Sequence, residues 1–176
     1  MKKIISLVLV GALMALCLAS CGTHSAAKAL DEMLLTVKNG DFAKAAVLEG
    51  TPLTNENNEM LSAMYKSFSY SIGEVKENED GTASVAITID TVDMGAVFAA
   101  FLEEAIANMD NPDWGDEEAN FIAALGAEDA PRIEFAIDVA MENVDGTWEI
   151  ADENEAFIDA LCGGLISSLS GLIGEE

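Results

Sequence analysis

Alternating apolar and polar residues over positions 133–142 limit the possible folds of this chain more than any other feature. A period of two is typical of a strand that buries one face. Residues 82–91 show the same alternation, and residues 68–76 also predict a strand. Asp-Gly pairs at 80–81 and 145–146 predict tight turns, since these residues tolerate positive φ angles. The apolar positions of the two clearest strands are Ala83, Val85, Ile87, Ile89, Ile133, Phe135, Ile137, Val139 and Met141.

Helical spacing of apolar residues accounts for most of the remaining chain. N-cap residues and glycine stops give the expected helix boundaries. A short strand at residues 148–150 leads into the final helix. The other predicted helices are residues 27–38, a short helix capped by Asp41, a third that begins at Thr54, a fourth from the cap Asp93 to Met109, and a short fifth over residues 117–125.

The final helix is predicted to begin at Asp152, with Glu155 three residues later as a variant of the capping box. Its apolar stripe, at four-residue spacing, is Phe157, Leu161, Leu165 and Leu169. We expect this stripe to lie in the core, and the alternative is an exposed surface that faces a partner or the membrane. The small residues Gly163-Gly164 lower helix propensity but allow a neighbouring backbone to pack closely.

Four short motifs lie where the predicted helices and strands meet: residues 38–42 (KNGDF), 91–95 (TVDMG), 146–150 (GTWEI) and 154–157 (NEAF). In this arrangement, helices lead into antiparallel hairpins and a tryptophan-containing edge strand precedes a last helix. The chain thereby resembles the nuclear transport factor 2-like (cystatin-like) superfamily. More narrowly, it resembles lipoproteins of Gram-positive bacteria grouped under domains of unknown function.

The resemblance implies an α+β fold in which helices pack on a curved antiparallel sheet shaped like a cone. It supplies no catalytic residues, because that group has no established activity. Catalytic members of the superfamily tend to place an Asp–His pair in the cone. In this chain the sole histidine is His24, near the N-terminus. This departure argues against an enzyme.

The first 21 residues carry the three parts of a secretory signal. Lys2 and Lys3 form the positive region, residues 4–18 are apolar, and Leu18-Ala19-Ser20-Cys21 resembles the lipobox of bacterial lipoproteins. The alternatives are a membrane-spanning anchor, or an ordinary signal peptide with a chance cysteine. The apolar run is about 15 residues, whereas a spanning helix needs roughly 20. We therefore expect lipid attachment at Cys21 and a position on the extracytoplasmic face of the cell membrane.

Three segments follow from this interpretation: a signal peptide (1–20), a lipidated N-terminus with a short spacer (21–28), and a single α+β domain (29–176). Removal of the signal lowers the formal side-chain charge from −24 to about −26. Such a surface repels nucleic acid and anionic lipid. Nucleic-acid binding is therefore excluded, and the charge first of all favours solubility.

Residues that carry catalytic or metal chemistry are scarce. Cys17 leaves with the signal and Cys21 takes the lipid, so Cys162 has no partner for an intramolecular disulfide. The acidic segment 110–118, which contains Asp110, Asp113, Asp116, Glu117 and Glu118, suggests a calcium site. It lacks the EF-hand spacing, and we favour a solvated loop that caps a helix. No catalytic residue, cofactor or metal ligand is predicted.

The sequence leaves three classes of function open. The favoured class is a non-catalytic domain that binds a small apolar ligand or a protein partner in a pocket lined by Ile87, Ile89, Phe135 and Ile137. The second is a surface interaction or assembly protein that uses its acidic face or its last helix. An enzyme ranks last, since no histidine is expected inside the fold. Neither the ligand nor the oligomeric state follows from the sequence.

Overall fold

The computed structural model describes residues 25–41, 55–111 and 114–173. In these ranges the chain forms six helices and four strands. In chain order they are α1 (Ser25–Lys38), α2 (Asn55–Tyr65), β1 (Ser69–Glu77), β2 (Thr82–Val92), α3 (Met94–Ala107), α4 (Glu117–Leu125), β3 (Arg132–Val144), β4 (Thr147–Ile150), α5 (Glu155–Leu161) and α6 (Leu165–Ile173).

The four strands form one antiparallel sheet in the order β1-β2-β3-β4. β2 and β3 pair over their length, from Thr82 opposite Glu142 to Val92 opposite Arg132. The sheet is open, and a bulge between Ile72 and Val75 interrupts the β1 edge. The predicted α+β class and the antiparallel hairpins are therefore confirmed, whereas the cone of the nuclear transport factor 2-like superfamily stays a prediction.

Both predicted Asp-Gly turns are present, and each uses glycine at positive φ. Gly81 has φ +85°, and Asp80 accepts hydrogen bonds from the backbone amide and the hydroxyl of Thr82. In the second turn Asp145 has φ 53° and Gly146 has φ 90°. Positive φ at both central residues defines the turn whose twist matches that of the flanking strands.

The core lies between one face of the sheet and the helices, as the alternation predicts. On β2, Val85 and Ile89 are fully buried, and Ile87 is 3% exposed. The central stripe of α1 packs on this face, with Leu30 and Leu34 fully buried. The opposite face of the sheet carries mostly polar and small side chains.

Most predicted helix boundaries agree with the structure. α4 spans residues 117–125 as predicted, and Asp93 caps α3 by accepting a hydrogen bond from the amide of Ala96 at 2.9 Å. α1 begins at Ser25, two residues before the predicted start, and Ala26 is fully buried. Residues 25 and 26, expected in the spacer ahead of the predicted helix, therefore belong to α1. The predicted helix that Asp41 would cap lies outside the described residues.

The predicted cap at Asp152 is wrong. α5 begins at Glu155, and Asn154 occupies the N-cap position without a capping hydrogen bond from its side chain. The Asn154 amide instead reaches β3, where Oδ1 accepts from Ala140 N at 2.9 Å and Nδ2 donates to Ala140 O at 2.9 Å. The side chain also donates to Ala151 O. A buried amide that satisfies strand groups displaces the local cap predicted from sequence.

The single final helix is also wrong, because the chain breaks at Gly163-Gly164 into α5 and α6. Both glycines have positive φ, at 60° and 74°. A side chain at Gly163 would collide with the carbonyl oxygen of Val92, and Gly163 O accepts a hydrogen bond from Met94 N at 3.0 Å. The close backbone approach suggested by the sequence is therefore present, between Gly163 and Val92, but it interrupts the predicted helix.

The apolar stripe of this segment is buried only in its first half. Phe157 and Leu161 are 1% and 2% exposed, Leu165 is half-buried, and Leu169 is 40% exposed. The expectation of a core helix therefore holds for α5 but fails for α6. The break at the two glycines accounts for the difference, since it divides the segment into two helices and the buried stripe of α5 does not extend along α6.

Candidate binding groove

The four residues predicted to line a pocket lie in or against the core. Ile87 pairs with Ile137 across β2 and β3, and Ile89 pairs with Phe135. Ile87 and Ile89 belong to the buried core cluster, and Phe135 and Ile137 pack against it. These side chains fill the layer between sheet and helices, so they do not form the predicted pocket as a set.

A groove instead lies at the margin of the core, between α1, β4 and α5. Its volume is about 520 Å³, which falls in the range typical of small-molecule sites. Its lining is largely apolar, and it joins α1 to β4 and α5, which lie more than 100 residues further along the chain. The lining residues are Ala29, Met33, Met141, Trp148, Glu149, Ile150, Ala151, Asp152, Asn154, Phe157 and Ile158.

β4 supplies one wall of this groove, which we call the α1–β4–α5 groove. Ile150 pairs with Met141 and Trp148 pairs with Asn143 across β3 and β4. Trp148 and Ile150 are both half-buried, whereas the intervening Glu149 is exposed. The alternation of the strand therefore turns an indole ring and a branched aliphatic side chain toward the helices.

α1 supplies the second wall. Ala29 and Met33 are four residues apart, so they lie one turn above each other on the helix. They flank the buried stripe of Leu30 and Leu34, on the side of α1 that faces β4. Ala29 leaves space beside the helix, and the flexible thioether of Met33 can adapt to ligands of different shape.

α5 closes the third side. Phe157 is buried at its base, and Ile158 is 42% exposed at its rim. Asn154, which is 6% exposed, fixes the start of α5 to β3 through the hydrogen bonds described above. The groove therefore has a rigid frame, with apolar side chains accessible from solvent.

A second groove, of about 550 Å³, lies on the other side of α1 against β1. Its lining contains Lys28, Lys38 and Asp31 together with Tyr70. The Tyr70 hydroxyl donates a hydrogen bond to Asp31 Oδ1 at 2.7 Å. Burial first, and then the Asp31 carboxylate, raise the pKa of Tyr70 above its usual range. This groove is lined by two lysines, whereas the lining of the α1–β4–α5 groove contains no cation.

The residues singled out from sequence for chemistry are not brought together. Cys21 and His24 lie outside the described residues, as does Asp113. Asp116 caps α4, accepting from the amides of Glu118 at 3.0 Å and Ala119 at 3.2 Å. Within the described ranges, no group of three or more His, Cys, Asp or Glu side chains could hold a metal ion. The acidic segment therefore contributes a helix cap, and its suggested calcium site gains no support.

Cys162 ends α5 and is half-buried. Burial first, and then the neighbouring Asp159, raise the pKa of its thiol. A raised pKa disfavours the thiolate, which is the nucleophilic form. Cys162 is therefore suited to packing rather than to reaction.

Sequence analysis missed the groove because its walls come from separate segments. Two signals pointed toward it. Trp148 sits in a short strand with period two, and Ala29 and Met33 share one side of a helix. Neither signal shows which elements become neighbours, since that depends on how α1 and α5 pack against the sheet.

The described residues thus define an α+β domain with an open antiparallel sheet and an apolar marginal groove. No protein-family model matches the chain, and no curated protein matches it. Among solved structures, it is similar to the crystal structure of YcdA from Bacillus subtilis, a protein designated a lipoprotein, with 14% sequence identity and a TM-score of 0.42. The match covers 79% of this chain and 44% of that one. A similarity this low assigns neither a family nor a function.

Proposed function

We propose that this chain is a lipid-anchored, non-catalytic extracytoplasmic domain that binds an apolar ligand, or an apolar segment of a partner, in the α1–β4–α5 groove. The groove itself carries the proposal. It exposes Trp148, Met33 and Ile158 around a space of about 520 Å³. Sites for small molecules combine such an apolar lining with a few polar groups.

The anchoring part of the proposal rests on the lipobox-like residues 18–21 and on where α1 begins. Ser25 starts the helix four residues after Cys21. Even a fully extended chain spans at most about 15 Å over that separation. A lipid on Cys21 would therefore hold the domain close to the bilayer. Of the helices in the described ranges, none combines the length and the hydropathy that crossing a bilayer requires.

The non-catalytic part rests on the chemistry of the lining residues. They include neither histidine nor cysteine, and they include no serine, threonine or lysine. The polar side-chain groups of the groove residues are therefore two carboxylates, one buried amide and the indole N–H of Trp148. That set suits recognition of a ligand better than nucleophilic attack.

Ligand binding is tested with 4-phenylbutanol, a neutral apolar probe, and the full chain in phosphatidylcholine vesicles. Saturation-transfer NMR should detect binding above the background of protein-free vesicles. Ala29→Phe fills the groove and should abolish binding. Ala27→Phe, the matched control, places the same side chain in the second groove and should leave binding intact. Equal binding by both variants would place the probe elsewhere and refute the groove assignment.

Anchoring is tested with Cys21→Ala. The variant should fail to incorporate radiolabelled palmitate in bacterial cells, and it should leave the membrane fraction or retain its signal. Cys162→Ala is the matched control, since Cys162 lies in the folded domain, and it should label normally. Normal labelling of Cys21→Ala would contradict the lipid assignment.

Self-association is the second candidate function, favoured by apolar side chains exposed on α3 and α6. Leu102 and Ile106 on α3 are 43% and 66% exposed, and Ile166 and Leu169 on α6 are 46% and 40% exposed. Exposed apolar residues grouped on neighbouring helices are typical of interaction surfaces. Light scattering after size-exclusion chromatography should then report a dimer that Ile106→Glu dissociates. A monomer at all concentrations would count against this candidate.

A further inference from the structure

The two grooves that flank α1 differ in the sign of their charged residues. The charged residues that line the α1–β4–α5 groove are Glu149 and Asp152, and its lining contains no lysine, arginine or histidine. The second groove is lined by Lys28, Lys38 and Asp31. The acidity of the chain is therefore not spread evenly, and the apolar groove lies on the negative side of the helix.

The indole of Trp148 is a second feature of the groove that favours a positively charged ligand. Trp148 is half-buried and lines the groove. The face of an indole ring attracts cations, and it does so more strongly than a phenol or a phenyl ring. An apolar body seated on Met33 and Phe157 can therefore carry a positive group toward the ring and toward Asp152 at the margin of the groove, whereas Glu149 alternates to the other face of β4.

We infer that the α1–β4–α5 groove selects ligands that join an apolar body to a cationic head, such as aryl-alkyl ammonium ions or a Lys- or Arg-terminated apolar side chain. This inference rests on the proposed ligand-binding function and adds the charge class of the ligand. Anions of the same shape are disfavoured, because the Asp152 carboxylate repels them.

The test compares three probes that share one body and differ in the head group: 4-phenylbutylammonium, 4-phenylbutanol and 4-phenylbutyrate. Affinities are measured by ligand-observed NMR on the full chain in phosphatidylcholine vesicles. The location is measured by tryptophan emission in the Trp114→Phe background, where Trp148 is the remaining tryptophan. We expect the ammonium probe to bind at least about fivefold more tightly than the carboxylate, with the alcohol between them. Added salt should reduce this ratio.

Asp152→Asn should lower the ratio of ammonium to carboxylate affinity by about threefold, because it removes one rim charge without changing the shape of the side chain. Glu103→Gln is the matched control: it removes an exposed carboxylate of α3, which does not line the groove, and the ratio should stay unchanged. Equal affinity of the carboxylate and ammonium probes, with a Trp148 response to both, would overturn the charge inference and leave the groove intact. No Trp148 response to any probe would overturn the groove assignment itself.

Discussion

The Arg132 guanidinium binds the Asp90 carboxylate with Nε and Nη2 at 3.0 and 2.9 Å from Oδ1. It also donates to the backbone carbonyl of Ser67 at 2.8 Å. Asp90 faces Glu134 directly across β2 and β3, an arrangement of like charges that destabilises a sheet. Arg132 therefore offsets this repulsion and joins the end of β2 to the residues that precede β1.

Replacing Arg132 by Gln should lower the free energy of unfolding by about 1 kcal/mol, because the pair is partly exposed and solvent screens it. Urea unfolding measures the change. Lys76→Gln is the matched control: Lys76 pairs with Glu74 at 3.6 Å on an exposed stretch of β1, and its loss should be nearly neutral. An equal effect of both substitutions would show that the Arg132 contacts stabilise the fold no more than an exposed ion pair does.

Thr91→Val should stabilise the fold. Thr91 is fully buried, and among the described residues its hydroxyl has no hydrogen-bond partner. Valine keeps the shape and removes the cost of burying an unsatisfied hydroxyl, about 1 kcal/mol. Thr88→Val, at a half-buried position on the opposite face of β2, should change stability little. A destabilised Thr91→Val variant in thermal unfolding would reveal a partner for the hydroxyl.

Gly163→Ala should destabilise the fold by about 3 kcal/mol, since it adds both backbone strain and a collision with Val92. Gly171→Ala is the matched control, because a methyl group at Gly171 meets nothing within 4 Å. That change should stabilise α6 by as much as about 1 kcal/mol. Opposite signs in urea unfolding are expected. A neutral Gly163→Ala variant would mean that the backbone approach at Val92 relaxes readily.

Asn154→Ala should cost about 2 kcal/mol, because it leaves the half-buried amide of Ala140 without its partner. The Ala140 carbonyl loses one of two bonds and keeps the one from Ala151 N at 3.0 Å. The substitution should also weaken binding of 4-phenylbutanol, since Asn154 fixes the start of α5 beside the groove. Asn120→Ala removes a half-buried amide that donates to Trp114 O at 2.8 Å, away from the groove. It should spare binding. Unchanged probe affinity in a folded Asn154→Ala variant would contradict the framing role of Asn154.

Stability should fall as the pH rises above about 10. The pKa values of Tyr65 and Tyr70 are raised in the folded chain, chiefly by burial, so both phenols stay protonated there. In the unfolded chain they ionise at about pH 10, which favours unfolding above that pH. Tyr70→Phe should reduce the slope of unfolding free energy against pH in this window. Equal slopes for the native chain and Tyr70→Phe would refute the assignment.

Local patterns predicted the strands and turns well. The alternation of Val85 and Ile89 with more polar neighbours predicts a strand from the single condition that one face is buried. Asp145-Gly146 predicts a tight turn because these residues tolerate positive φ angles. Asp93 and Asp116 cap helices through bonds that lie within three residues. Such features depend on the chain near the residue concerned, so sequence alone could establish them.

The errors arose where distant segments decide the local structure. Asn154 displaces Asp152 as the N-cap because Ala140 of β3 offers its side-chain amide two hydrogen bonds, and Ala151 O offers a third. Gly163 breaks the last helix because Val92 lies against it. The groove beside Trp148 depends on the packing of α1 and α5, which no periodicity encodes. These contacts join segments that are distant in sequence, and they cannot be predicted from the local pattern of a single sequence.

The bulge in β1 affects how one copy of the protein can pair with another. An open sheet offers a free edge to which a strand of another molecule could add. Between Ile72 and Val75 the register shifts. Glu74 lies within this bulge, and Lys76 and Glu77 follow it on β1. Together they deny a second strand a continuous ladder of hydrogen bonds. The β1 edge is therefore poorly suited to pairing with a second copy of the chain, which protects the open sheet against edge-to-edge association.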